Sequence, residues 1–347
     1  MISPIIILLL ITTIYKKFTR IMIYCTSRYF KYIIIILGDN MKKTIKIKSS
    51  NNVDELYGVM YVPDEAPKAI LTIVHGLGDR IDNYDEIGNI FNNNGILVAG
   101  IDMIGFGKTV IDLNNLGNFT DKKNTINYFV EDLRLLREEL DKEYKDIPNY
   151  ILGYSFGSFI TRMYINKYSN DLKGALLLGT TYKSPFAMSI AKFITRYLAV
   201  GKTWNDRNIY LFKKTIGALN DNFEDKTIPS WLNSDISKIR RMKDDPYANT
   251  RLTLNGYYVL YDLIGKCNTK KNMKGINKEL PIYLMSGKDD PVGDFGADIY
   301  KLNRMYLGLK LNKTKFKIYN NMRHDILNEV NRDVVINDIL KFIDDNK

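Results

Sequence analysis

The chain has 347 residues, a formal net charge of +11 with 26% charged and 45% hydrophobic residues, and only two histidines and two cysteines. A chain this long can bury a large α/β core, and its composition is that of a globular protein rather than a disordered or fibrous one. Cys25 and Cys267 cannot make a disulfide framework, which fits a reducing compartment such as the cytoplasm, and two histidines argue against a zinc enzyme. The basic residues are dispersed, without a dense run or an aromatic-interleaved stripe. The charge therefore points to loose attraction to anionic lipid surfaces rather than to nucleic acid.

Residues 1–40 stand apart. Ile5–Ile14 is apolar, a basic stretch with Lys16, Lys17 and Arg20 follows, and Tyr32–Leu37 is apolar again. Neither run reaches the roughly 20 residues that span a bilayer, and neither has the flanks of a signal peptide. Two readings stand for this extension. One is a short membrane anchor. The other, favoured here, is upstream sequence translated from a start codon set too early: Met41-Lys42-Lys43-Thr44 looks like a natural start, and a purine-rich ribosome-binding site read in frame encodes Leu37-Gly38-Asp39.

From Met41 the pattern is regular. Thr44–Lys48 alternates as a first strand, with strands expected near 43–49, 55–62 and 69–75. Ile96–Ile101 is a continuous apolar run, as in a strand covered on both faces. A helix over 125–145 leads to a strand ending at Leu152. Further strands are expected at Gly174–Gly179, Pro281–Ser286 and Phe316–Tyr319, and a helix from about Ile326 to Ile343 closes the chain. Strands alternating with helices predict a mostly parallel sheet flanked by helices, with a site at the strands' C-terminal ends.

Residues 181 to about 278 break the rhythm. Phe186, Met188, Ile190, Ala191, Phe193, Ile194, Tyr197 and Leu198 make an apolar helical face. Polar stretches follow, and then Tyr257, Tyr258, Leu260, Tyr261 and Ile264. Most of these side chains are expected to pack the insertion itself; only if the substrate is a lipid must a few line its entrance.

Between the strand ending at Leu152 and a helical pattern in Phe159, Ile160, Met163 and Tyr164 lies Gly153-Tyr154-Ser155-Phe156-Gly157, a G-x-S-x-G. Strand before and helix after is the context in which this motif makes a sharp turn with the serine exposed at its tip. The Phe156 N–H then faces whatever carbonyl the serine attacks. A serine nucleophile needs a base near neutral pH, most often histidine. Only His75 and His324 exist, and in this arrangement an acid and then the base follow the serine along the chain. His324 fits that order. Asp289, Asp290 and Asp294 precede it on an acidic loop. Asp102-x-x-Gly105-x-Gly107 lacks the spacing of a nucleotide loop.

These pieces together resemble an α/β-hydrolase of the monoacylglycerol lipase and lysophospholipase type, the group also called serine aminopeptidase-like hydrolases. The matching stretches are His75-Gly76-Leu77-Gly78, Asp102–Thr109, the elbow at Ser155, Gly287–Gly293 and Arg323–Glu329. They appear in the family's order within residues 41–347. The resemblance implies an α/β-hydrolase fold with core segments 41–180 and 279–347 and a helical cap at 181–278, after the sixth strand. It implies Ser155 as nucleophile, His324 as base, Asp290 as orienting acid, and the backbone N–H groups of Leu77 and Phe156 as an oxyanion hole, with no cofactor and no metal. His75 reads as a structural partner of its loop, and Arg323 and Asp325, which flank the base, have two readings: they tune its pKa or, the reading favoured here, they are surface residues. The substrate would be a carboxylic ester, foremost a monoacylglycerol or lysophospholipid, with transient contact to a membrane surface; a short-chain esterase, a peptidase and a non-catalytic binding protein are the rival readings. The family often has His before the serine and Gly-Gly after it. Here Tyr154 precedes it and Gly157-Ser158 follows, which bears on substrate preference rather than on chemistry.

Overall fold

The computed structural model describes residues 24–27, 30–33, 41–119, 121–248 and 251–347. Most of the 1–40 extension lies outside the described residues. Within it two four-residue strands, Tyr24–Ser27 and Phe30–Ile33, pair antiparallel with each other.

Eight strands form the central sheet: β1 (Met41–Lys48), β2 (Glu55–Val62), β3 (Ala69–Val74), β4 (Ile96–Ile101), β5 (Asn149–Tyr154), β6 (Gly174–Leu178), β7 (Ile282–Gly287) and β8 (Thr314–Tyr319). Their spatial order is β8-β7-β6-β5-β3-β4-β2-β1. Only β2 runs against the rest, antiparallel to both β1 and β4. The helices are α1 (Asp85–Asn93), α2 (Thr125–Tyr144), α3 (Phe156–Tyr168), α4 (Pro185–Leu198), α5 (Ile209–Lys214), α6 (Ile236–Lys243), α7 (Leu254–Cys267), α8 (Ala297–Gly308) and α9 (Asp333–Asp345).

The inner strands are buried throughout, with no exposed residue in β3, β4, β5, β6 or β7. Alternate residues serve two cores. Ile70, Val74, Leu97 and Ile151 pack with α2, α3, α7 and α8, whereas Leu71, Ile73, Val98 and Leu152 pack with α1 and α9. Helices on both faces are what make continuous apolar strands stable.

Each expected strand is present, shifted by at most two residues where it was given two bounds. The closing helix is not where periodicity placed it. It starts at Asp333 rather than Ile326, because side chains hold 325–332 in turns: Asn328 donates to the Asp325 carboxylate at 2.9 Å, and the buried Glu329 carboxylate accepts the Arg323 N–H at 2.9 Å.

The insertion between β6 and β7 carries α4 to α7. Its apolar face on α4 is only partly a packing face. Met188, Ala191 and Leu198 pack onto the core, but Phe186 (76% exposed), Phe193 (69%) and Tyr197 (72%) stand in solvent with Ile190. On α7, by contrast, Tyr257, Leu260, Tyr261 and Ile264 are buried. Arg162 on α3 ties the insertion to the core. Its fully buried guanidinium donates to Thr181 O at 3.1 Å, where the chain leaves β6, and to Cys267 O at 2.8 Å and Asn268 Oδ1 at 2.6 Å, at the end of α7.

Candidate active site

The turn from β5 to α3 is as tight as the motif requires. Ser155 sits at φ 52°, ψ −118°, in the left-handed half of the map that a residue with a β-carbon rarely adopts. The strain is held by neighbours. Ser155 N–H donates to Leu178 O at 2.8 Å, and the buried Ser158 hydroxyl, in place of the family's second glycine, donates to Ser155 O at 2.5 Å. A β-carbon on Gly157 would lie 2.0 Å from Val74 O, and one on Gly153 2.3 Å from Thr161 Oγ1. Both glycines are therefore required by close backbone approach.

Three of the residues picked out in the sequence meet here. His324 Nε2 accepts the Ser155 hydroxyl at 2.8 Å, and His324 Nδ1–H donates to Asp290 Oδ2 at 2.9 Å. Asp290 is fully buried and its other oxygen accepts the Val292 N–H at 2.8 Å. Among the three carboxylates of that loop the geometry separates Asp290 cleanly. Asp289 is exposed, and Asp294 is exposed and near Lys301 at 3.6 Å.

The N–H of Phe156 is the first amide of α3, at the positive end of the helix. The Leu77 N–H lies in the loop after β3. Among the described residues neither amide has a protein acceptor, and both residues line the cavity that holds Ser155. His75 is fully buried and committed to backbone. Its Nε2 accepts the Met103 N–H at 2.9 Å, which places its proton on Nδ1, and Nδ1 donates to Gly76 O at 2.8 Å. No nitrogen is left for proton transfer. Asp102 braces the same region, accepting the N–H of Ile81 and of Lys108, each at 2.7 Å, while burial pushes its carboxyl above the usual range.

Arg323 and Asp325 are not surface residues. Arg323 Nη1 donates to Ser230 O at 2.6 Å, and its guanidinium lies 4.7 Å from the centre of the Phe223 ring. Asp325 is half-buried and lines the cavity beside His324; burial pushes its carboxyl up to about 7. Two aromatic rings lie against His324. Tyr154, the residue before the serine, is 5.2 Å away between ring centres, and Trp231 of the insertion is 5.1 Å away. Sequence reasoning passed over Trp231. The one signal was a lone large aromatic, one of two tryptophans, in an otherwise polar run.

A cavity of about 1870 Å³ opens above Ser155. Core and insertion line it together. Phe159, Met188, Ile194, Leu211, Phe212 and Leu260 give it an apolar wall, while Asp79, Asn83, Asp325 and Asn328 give it polar groups.

A family model described as serine aminopeptidase, S33, matches residues 65–331. The monoacylglycerol lipase of Mycolicibacterium smegmatis is 24% identical over 140 residues, covering 39% of this chain and 48% of the relative. Mouse monoglyceride lipase is 26% identical over 116 residues, covering 33% and 36%. These alignments span half or less of the curated relatives' own length. A thermostable carboxyl esterase from Bacillus coagulans, solved in complex with glycerol, superposes with a TM-score of 0.78 at 26% identity, over 88% of this chain and 98% of the esterase.

Proposed function

The chain belongs to the serine aminopeptidase S33 family of α/β-hydrolases, and from that premise we propose that it is a serine hydrolase cleaving carboxylic esters of monoacylglycerol or lysophospholipid type. The observation that carries the reading is the hydrogen-bonded line from Ser155 Oγ through the His324 ring to Asp290, at 2.8 and 2.9 Å, under a largely apolar cavity.

Ser155 Oγ attacks the ester carbonyl while His324 Nε2 takes its proton. Asp290 keeps the imidazole in the tautomer with its proton on Nδ1 and stabilises the imidazolium that forms. The amides of Leu77 and Phe156 hold the oxyanion, a contribution on the order of a hundredfold or more in rate for each such donor. The tetrahedral intermediate collapses, the C–O bond to the alcohol breaks, and His324 returns the proton to the leaving oxygen. Water, deprotonated by His324, then attacks the acyl-enzyme, releasing the fatty acid and restoring Ser155.

The cavity exceeds the ~300–1,000 Å³ of most small-molecule sites, which suits a long acyl chain. The lining offers partners to either headgroup: Asp79, Asn83, Asp325 and Asn328 can accept from the hydroxyls of a polyol, and Lys238, 3.5 Å from Asn328, can pair with a phosphate. The exposed apolar face of α4 borders this cavity through Ile194 and suits transient contact with a lipid surface.

Hydrolysis of para-nitrophenyl esters from acetate to palmitate tests the proposal. Ser155→Ala is expected to lose turnover by on the order of 10⁴-fold or more, with wild-type activity rising with acyl length. Preference for acetate would move the reading to a general short-chain esterase, and equal rates in mutant and wild type would remove the acyl-enzyme altogether. Monoacylglycerol against lysophospholipid of the same chain then decides the headgroup.

A further inference from the structure

The insertion does more than roof the cavity. Its segment 230–234 runs beside the loop that carries His324 and is bonded to it along its length. His324 N–H donates to Trp231 O at 3.3 Å, and Asp325 N–H donates to Leu232 O at 2.7 Å. Arg323 Nη1 reaches the carbonyls of Ser230 at 2.6 Å and Asn233 at 3.1 Å. The Glu329 carboxylate accepts the N–H of Ser234 at 3.0 Å and of Arg323 at 2.9 Å, and also the Ser234 hydroxyl. Glu329 and Asn233 are each 2% exposed. The ends at Glu329 and Asn233 are shielded from water, so a bond made there costs more to break than an exposed one.

The result at His324 is a ring boxed by its surroundings. The backbone of Gly179 lies so close that a β-carbon there would stand 2.7 Å from His324 Cε1. Tyr154 and Trp231 add their rings at 5.2 and 5.1 Å. Gly179 and Tyr154 belong to the core strands' ends, but Trp231 belongs to the insertion. A histidine held by one bond to Asp290 can still tilt about its Cβ–Cγ axis, and only packing removes that freedom.

We propose that Trp231 is a positioning residue for the ester hydrolysis assigned above, and that the base is correctly aimed only while segment 230–234 is seated on the histidine loop. The proposal rests on the assignment of Ser155, His324 and Asp290. With Trp231 in place, Nε2 stays on Ser155 Oγ and water is kept from the His324–Asp290 bond. Without it, the ring tilts, Nε2 leaves the serine, and water competes for the carboxylate.

The experiment uses para-nitrophenyl acetate, whose acyl group is too short to need the cavity wall, with wild type, Ser155→Ala, Trp231→Ala and Trp231→Phe. Trp231→Ala is expected to lower kcat by about tenfold to a hundredfold, the effect of a misplaced catalytic group, with KM essentially unchanged, and Trp231→Phe is expected to restore most of it. The full chain has two histidines, so the low-field proton spectrum is simple. The resonance of the His324 Nδ1 proton, identified by its loss in Asp290→Asn, is expected to broaden or vanish in Trp231→Ala while that of His75 stays. Trp231→Leu, which keeps apolar volume without a ring, gives the same comparison if the alanine variant does not fold. Unchanged kcat and resonance would overturn the proposal, as would a KM raised in Trp231→Ala at constant kcat, which would make Trp231 a wall of the substrate channel. Absence of Ser155-dependent turnover in the wild type is a different failure: it removes the triad assignment, and the positioning role falls with it.

Discussion

Asp325 follows the base directly and has a carboxyl pushed up to about 7 by burial and the Asp79 carboxylate, against the opposing pull of Asn328, His324 and Lys238. It therefore gains negative charge as pH rises through about 7, inside the same cavity. A negative charge next to His324 stabilises the imidazolium formed as Ser155 attacks. The ratio of kcat/KM for wild type to that for Asp325→Asn is expected to rise as pH passes through about 7 and to level off on either side. A flat ratio from pH 5 to 9 would show that Asp325 does not sense the reaction. The stability of the fold moves the other way. A carboxyl whose pKa is raised on folding binds its proton more tightly in the native state, so stability is lost as pH rises from about 4 to about 7. Asp325→Asn should lessen that loss, read as the difference in thermal midpoint between pH 4 and pH 8. At this scale the sequence was partly legible. Ser155 and His324 stood out because the motif needs its strand-helix context and histidines are scarce. Asp290 came through the resemblance and is set apart by burial from Asp289 and Asp294. Asp325 was legible as a neighbour of the base but its burial was not, and Trp231 was not legible at all, because its place beside His324 comes from contacts between segments about 90 residues apart that no local pattern encodes.

At the scale of elements, the elbow concentrates the fold's requirements. Gly157 places α3 against β3 so closely that Val74 O would lie 2.0 Å from an added β-carbon. Backbone cannot yield as a flexible side chain can, so Gly157→Ala must push α3 away from the sheet. Overpacking of this kind costs about 1–3 kcal/mol or more, and the shift also displaces Ser155 from His324. The expected outcome is a lowered unfolding midpoint in urea together with a loss of turnover larger than any change in KM. A variant with wild-type stability and activity would mean that the helix has room to move. The strands were legible at this scale because buried parallel strands are continuous apolar runs, as in Ile96–Ile101. The start of the last helix was not. Ile326 and Leu327 carry apolar periodicity, yet they are buried within turns fixed by Asn328 and Glu329, and local side-chain hydrogen bonds outweigh a weak helical preference.

For the whole molecule, the open question is what meets the outer face of the insertion. Phe186, Ile190, Phe193, Tyr197 and Val200 recur at spacings of three and four residues along α4 and just beyond it, and all are exposed. Helical periodicity alone reads such a stripe as a packing face, which is why their exposure was not legible in the sequence. Residues 183–217 hold seven Lys or Arg and a single Asp. An apolar stripe within a cationic segment is the pattern of a helix that lies in the interface of an anionic membrane. Among the described residues no helix is long and apolar enough to cross a membrane, so any such contact made by these elements is superficial. Ile194, on the same helix, lines the cavity, and a lipid ester leaving the bilayer there would have a short path to Ser155. Phe193→Ser with Tyr197→Ser removes two rings that do not line the cavity. Burying a large apolar side chain contributes about 1.5–3 kcal/mol, so partitioning onto phosphatidylserine-containing vesicles is expected to fall by roughly tenfold or more. Binding should also weaken with added salt, as the screening length shrinks from about 30 Å at 0.01 M to about 10 Å at 0.1 M. Turnover of a soluble acetate ester should not change, whereas turnover of monoacylglycerol presented in the same vesicles should fall with binding. If the double variant binds vesicles as well as the wild type, the stripe is not the membrane-facing surface. If vesicle binding falls while turnover of vesicle-borne substrate does not, the contact exists but does not deliver the substrate.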